Sequence, residues 1–127
     1  MVNQNKILLV DDDTMIVRMY QERFSRDGFK VILAFDGEEG LEKAEKEKPD
    51  IILLDIMMPK MNGYEMLKIL KKKEGIASIP VIVLSCLGAD LELIEKSKQL
   101  GVVDVINKGD VPAKEVVERV KTALGKK

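Results

Sequence analysis

The chain has no histidine, no tryptophan and a single cysteine, Cys86. Without histidine there is no Ser-His or Cys-His nucleophile pair, no histidine-ligated zinc and no phosphohistidine on the chain itself. One thiol closes no internal disulfide and builds no cysteine-only zinc site; it fits a reducing, cytoplasmic setting. Charge of one sign is lacking too. The 21 Lys and Arg stand against 22 Asp and Glu, a net charge of -1, which argues against direct nucleic-acid binding. No apolar run approaches the ~18 residues of a membrane helix. Met1–Lys6 is polar, so no secretory leader is expected. Prolines are few, and Pro49, Pro59, Pro80 and Pro112 all fall at junctions between segments. What remains is 127 residues, 46% of them apolar, enough for one domain over residues 1–127. The Lys126-Lys127 end is expected to fray.

Two kinds of segment alternate. Short apolar runs occupy Lys6–Val10, Lys30–Phe35, Ile51–Leu54, Val81–Leu84 and Val102–Ile106. Between them lie longer stretches of helical period. Ile16, Val17, Tyr20 and Phe24 form one stripe; Ala113, Val116, Val117, Val120 and Leu124 form another. Asp36-Gly37-Glu38-Glu39 reads as a helix start, a capping carboxylate with a Glu three residues on. Strands alternating with helices imply an α/β domain, a parallel sheet covered on both faces. The runs Ile7–Val10, Ile51–Leu54 and Val81–Leu84 are apolar at every position, as expected of doubly covered strands.

In a parallel sheet all strand carboxyl ends lie on one edge, and right-handed crossovers leave that edge open to ligands. The first run ends in Asp11-Asp12-Asp13, the third in Asp55 and the fourth in Ser85; the fifth is followed by Lys108. Separate stretches of sequence thus bring carboxylates, a hydroxyl and an ammonium to one rim. Two carboxylates ~4 Å apart repel by about 4 kcal/mol at an effective dielectric of ~20. One lysine does not offset a set of three, but a hard divalent cation such as Mg²⁺ does, and a phosphate oxygen often completes its shell. An aspartate can itself attack phosphorus. Phosphoryl transfer then needs little beyond positioning and charge neutralisation.

At this point the chain resembles the receiver domains of two-component response regulators. Ile7-Leu8-Leu9-Val10-Asp11-Asp12-Asp13 is similar to that family's first-strand motif. Asp55-Ile56-Met57-Met58-Pro59-Lys60-Met61-Asn62-Gly63 is similar to its phosphoacceptor loop. Val83-Leu84-Ser85 and Val105-Ile106-Asn107-Lys108 resemble its hydroxyl and lysine motifs. The resemblance implies a flavodoxin-like, doubly wound (βα)5 sandwich with strand order 2-1-3-4-5. It implies Asp55 as phosphoacceptor, with Mg²⁺ held by Asp11, Asp12, Asp55 and the backbone carbonyl of Met57. Ser85 and Lys108 would contact the phosphoryl group. The donor would be a histidine kinase or a histidine phosphotransfer protein. The face made by the fourth helix, fifth strand and fifth helix would bind a partner or a second copy of the chain. Such a chain is a switch that promotes only its own phosphorylation and dephosphorylation, not an enzyme with turnover.

Two positions depart from the family pattern. Val105 stands where a switch Tyr or Phe is usual, and has neither ring nor hydroxyl to bury. Gly109 stands where Pro is usual, freeing the backbone of 108–111. Met57 and Leu87 occupy positions that tune hydrolysis in the family; neither orients a water, so slow self-dephosphorylation is expected. The chain ends after its fifth helical stretch, as would a stand-alone receiver or one cut from a longer regulator.

Plainer roles are assigned alongside. Asp13 is expected to cap a helix. Cys86 is expected to pack as a small, partly buried hydrophobe. Met57, Met58, Met61 and Met66 are assigned to packing and loops, and the charges of 68–74 and 92–98 to solvated helix surface. Other readings are a receiver-like module that is never phosphorylated, a small haloacid-dehalogenase-like phosphatase with Asp11 as nucleophile, and a flavodoxin-like cofactor binder. The phosphatase motif places its hydroxyl one residue later than Thr14. The cofactor binder needs a phosphate-cradling loop where this chain has three aspartates.

Overall fold

The structure is a computed structural model describing residues 5–86 and 88–125. The expectations for Met1–Gln4, Leu87 and Lys126-Lys127 lie outside the described residues. Five strands alternate with five helices: β1 (Lys6–Val10), α1 (Thr14–Arg26), β2 (Lys30–Ala34), α2 (Gly37–Glu47), β3 (Ile51–Asp55), α3 (Gly63–Lys71), β4 (Val81–Ser85), α4 (Leu91–Gln99), β5 (Asp104–Asn107) and α5 (Ala113–Ala123). The strands form one parallel sheet in the order β2-β1-β3-β4-β5. This is the doubly wound, flavodoxin-like (βα)5 arrangement expected from the sequence. Among the described residues no helix is long and apolar enough to cross a membrane.

Burial explains why the central runs carry no polar face. All five residues of β3 and all five of β4 are buried, because helices cover both sides. On one side Ile7 and Leu9 of β1 pack with Val17, Tyr20 and Phe24 of α1 and Val116, Val117 and Val120 of α5. On the other, Leu8 and Val10 meet Ala44 of α2 and Met66, Leu67 and Leu70 of α3. Alternate residues of one strand thus feed the two cores.

Helix starts follow local chemistry. Asp13 caps α1, its side chain accepting from the amides of Met15 and Ile16 at 3.0 and 3.3 Å. Asp36 accepts from Glu39 N–H at 2.8 Å, and Glu39 accepts from Phe35 N–H at 2.7 Å. Both caps were legible from residue type. Asn62 and Glu65 form a full capping box on α3, which the sequence reading passed over.

Several strand boundaries shift. β3, β4 and β5 each run one residue past their apolar stretch, to Asp55, Ser85 and Asn107. β2 stops at Ala34, leaving Phe35 exposed in the turn to α2. β5 begins at Asp104 rather than Val102. Val102 and Val103 follow Gly101, whose φ of 88° turns the chain; only the Val103 amide reaches β4, at the Val81 carbonyl, 2.9 Å away. Asp104 tolerates a strand position because Arg119 of α5 grips it, Nε lying 2.7 Å from Oδ2. Asp104 Oδ1 also accepts from Val105 N–H at 2.8 Å, and Arg119 donates to the Val105 carbonyl at 3.2 Å.

Candidate functional site

The carboxyl ends of β1 and β3 place Asp11 and Asp55 side by side beneath the rim. Asp11 is fully buried and Asp55 nearly so, while Asp12 is exposed. Carboxylate oxygens of all three lie within 4.8 Å of one another. The loop after β5 brings in Lys108. Its ammonium lies 2.9 Å from Asp11 Oδ2 and 3.5 Å from Asp55 Oδ2, with the side chain only 8% exposed.

The two buried carboxylates are also held by backbone. Asp11 Oδ1 accepts from Asp13 N–H at 2.9 Å, and Asp55 Oδ1 accepts from Met57 N–H at 3.1 Å. Behind Asp55 the chain is packed without slack. Ile56 N–H donates to the Leu84 carbonyl and Gly63 N–H donates to the Ile56 carbonyl, both at 3.0 Å. A Cβ on Gly63 would fall on the Asp55 carbonyl oxygen, so only glycine fits there.

The electrostatics follow from this crowding. Burial, then the Asp11 charge, push the Asp55 carboxyl from 3.8 up to about 7, although Lys108 and the Met57 amide pull the other way. Burial draws the Lys108 ammonium down. The hydrogen bond to Asp11 and the charges of Asp11 and Asp55 outweigh it, so the net shift is upward. The site holds more negative charge than its one lysine balances.

A cavity of about 550 Å³ opens over the cluster, lined by Asp12, Asp13, Ile16, Asp55, Met57, Cys86, Lys108 and Gly109. The structure thus brings together Asp11, Asp12, Asp55, Met57 and Lys108. Ser85 is not among the residues that line the cavity. It ends β4, is buried, and its hydroxyl faces the Ile106 carbonyl at 3.5 Å. Val105 packs against the cluster of Ile56, Val83 and Ile94. The sequence reading missed that Cys86 and Ile16 line the cavity. The signal was available for Cys86, one residue beyond a strand-end hydroxyl.

The family model for the response regulator receiver domain matches residues 7–121. The chain belongs to that family. It is 41% identical over 119 residues to the alkaline phosphatase synthesis transcriptional regulatory protein PhoP of Bacillus subtilis (strain 168), covering 94% of this chain and 48% of that protein. It is 38% identical over 120 residues to the transcriptional regulatory protein CpxR of Escherichia coli (strain K12), covering 94% and 49%. The chain therefore spans about half the length of the curated relatives it matches. Among solved structures, the CheY-like receiver domain protein of Methanospirillum hungatei JF-1 superposes with a TM-score of 0.88 at 31% identity, covering 97% of this chain and 95% of that one. The receiver domain of Francisella response regulator 1452 gives 0.84 at 33% identity, covering 96% and 98%. The chain is thus a receiver domain of two-component signalling.

Proposed function

We propose that this receiver accepts a phosphoryl group on Asp55 from a phosphohistidine of a partner kinase or phosphotransfer protein, and that the modified site changes which protein the domain binds. The observation that carries this reading is one lysine bridging two buried aspartates, with a third carboxylate within reach at the mouth of an open cavity.

The donor set fits a hard divalent cation. Three carboxylates within 4.8 Å, with too little positive charge beside them, match the all-oxygen demand of Mg²⁺. Asp11, Asp12, Asp55 and the Met57 carbonyl would hold it. When bound, it would neutralise carboxylate and phosphoryl oxygens and so let charge gather at the rim.

The chain's own residues supply the rest. An Asp55 oxygen forms the bond to phosphorus as the phosphorus–nitrogen bond of the donor breaks, and the electron pair leaves with the imidazole. Lys108, held by Asp11, offers its ammonium to a phosphoryl oxygen. Ser85 must turn from the Ile106 carbonyl to donate to another. The added group brings nearly two negative charges to a site already in excess. Lys108 and Ser85 are drawn toward it, and their loops move. The domain would thus act as a switch that modifies itself, without turnover on other substrates.

Intact-protein mass tests this. After incubation with Mg²⁺ and acetyl phosphate, the chain should gain one phosphoryl group, and Asp55→Ala should gain none. No gain under conditions that label another receiver would refute the reading and favour a constitutive binding module. A gain that survives in Asp55→Ala would overturn Asp55 as nucleophile and leave Asp11 and Asp13 as the next candidates.

A further inference from the structure

Val105 offers no aromatic ring to carry a change from the rim into the fifth strand. The same hydrophobic cluster does receive one from α3. Tyr64, the second residue of α3, is half-buried and packs against Ile56, Val83 and Ile94. Its ring lies under two ammonium groups. Lys68 Nζ, one turn on in α3, is 4.9 Å from the ring centre, and Lys96 Nζ of α4 is 5.9 Å away. Lys96 is itself tethered to Glu92 at 3.1 Å, so the contact bears on the first two turns of α4.

The other end of Tyr64 is tied to the site. Its neighbour Gly63 donates to the Ile56 carbonyl, and the backbones of Gly63 and Asp55 are too close for a side chain between them. Asp55 and Ile56 cannot shift without moving the start of α3, and Tyr64 is the side chain that start presents to α4. Packed contacts of this kind hold discrete arrangements rather than deforming smoothly.

We propose that Tyr64 is the positioning residue that couples the state of Asp55 to helix α4, in place of an aromatic at position 105. This rests on the phosphoacceptor reading. Coupling of this kind is reciprocal, so loosening the Tyr64 contact must also change how tightly the site holds a phosphoryl group.

The test is a backbone amide NMR titration of the whole chain with Mg²⁺ and beryllofluoride, an analogue of the phosphoryl group. In the unmodified chain the amides of Asp55 and Met57 shift, and those of α4 shift with them. In Tyr64→Leu the site amides should still shift while the α4 shifts fall to less than half. Tyr64→Phe keeps ring and packing and should restore most of the α4 response. Lys96→Gln, a surface change, should weaken that response in the same direction even where Tyr64→Leu is poorly folded. Full α4 shifts in Tyr64→Leu, or their loss in Val105→Ala instead, would overturn the proposal. Absence of any shift at Asp55 and Met57 in the unmodified chain would overturn the phosphoacceptor reading, and this one with it.

Discussion

Replacing Asp55 by Asn should make the metal-free protein more stable, not less. Asn has nearly the same shape and keeps an oxygen to accept from Met57 N–H at 3.1 Å, but it removes one of two buried carboxylates. The magnitude follows from proton linkage. Burial and the Asp11 charge raise Asp55 from 3.8 to about 7. At about 1.4 kcal/mol per unit, ionising it in the folded state costs at most about 4 kcal/mol. Lys108 remains beside Asp11, and the cavity is open to water, so an observed gain of about 2–4 kcal/mol is expected. Since the folded pKa lies above the unfolded one, the cost is absent below about pH 4, grows as pH rises and is complete above about pH 7. The gain of Asp55→Asn should follow the same course. With no tryptophan to follow, urea unfolding is best read by far-UV circular dichroism with EDTA, near pH 8 and again near pH 4. Excess Mg²⁺ should then stabilise the parent chain and narrow the gap. A variant no more stable than the parent at pH 8, or one equally stabilised at both pH values, would refute the electrostatic reasoning.

Other outcomes follow from the same geometry. Lys108→Met leaves Asp11 and Asp55 buried with no cation, so it should cost about 3 kcal/mol in urea unfolding at neutral pH and less near pH 4. Gly63→Ala forces a methyl onto the Asp55 carbonyl; a loss of about 1–3 kcal/mol, with slower labelling by acetyl phosphate, is expected. Met57 offers the site a thioether that does not orient water. Loss of the label followed by mass should therefore take much longer than seconds at room temperature; a half-life of seconds would count against this assignment.

Periodicity and chemistry made most of the fold legible. Every apolar run became a strand because burial on both faces leaves no other pattern available to β3 and β4. The rim residues Asp11, Asp12, Asp55 and Lys108 could be named because strand ends in a parallel sheet must converge. Departures came where tertiary contacts override local signal. Val102 and Val103 look like strand, yet pairing starts at Asp104, since a guanidinium from the following helix, 15 residues on, satisfies that carboxylate. The orientation of Ser85 was beyond sequence as well. A hydroxyl rotates to whichever acceptor is near, here the Ile106 carbonyl, and residue type says nothing of that. The role of Tyr64 depends on which helix lies opposite, which no local pattern encodes.

The clasp of Arg119 on Asp104 and Val105 has a bearing on association. β5 ends the sheet, and the stretch Val102-Val103-Asp104-Val105-Ile106 is rich in β-branched residues, with Val103 half exposed. Such an edge ordinarily invites another strand to add to it. Here the N–H of Val105 is taken by its neighbour's carboxylate and its carbonyl by the guanidinium. At Val105 two side chains stand where a sixth strand would pair. A second copy meeting this side would find the Val105 rung of the backbone already occupied, and helices and charges beside it.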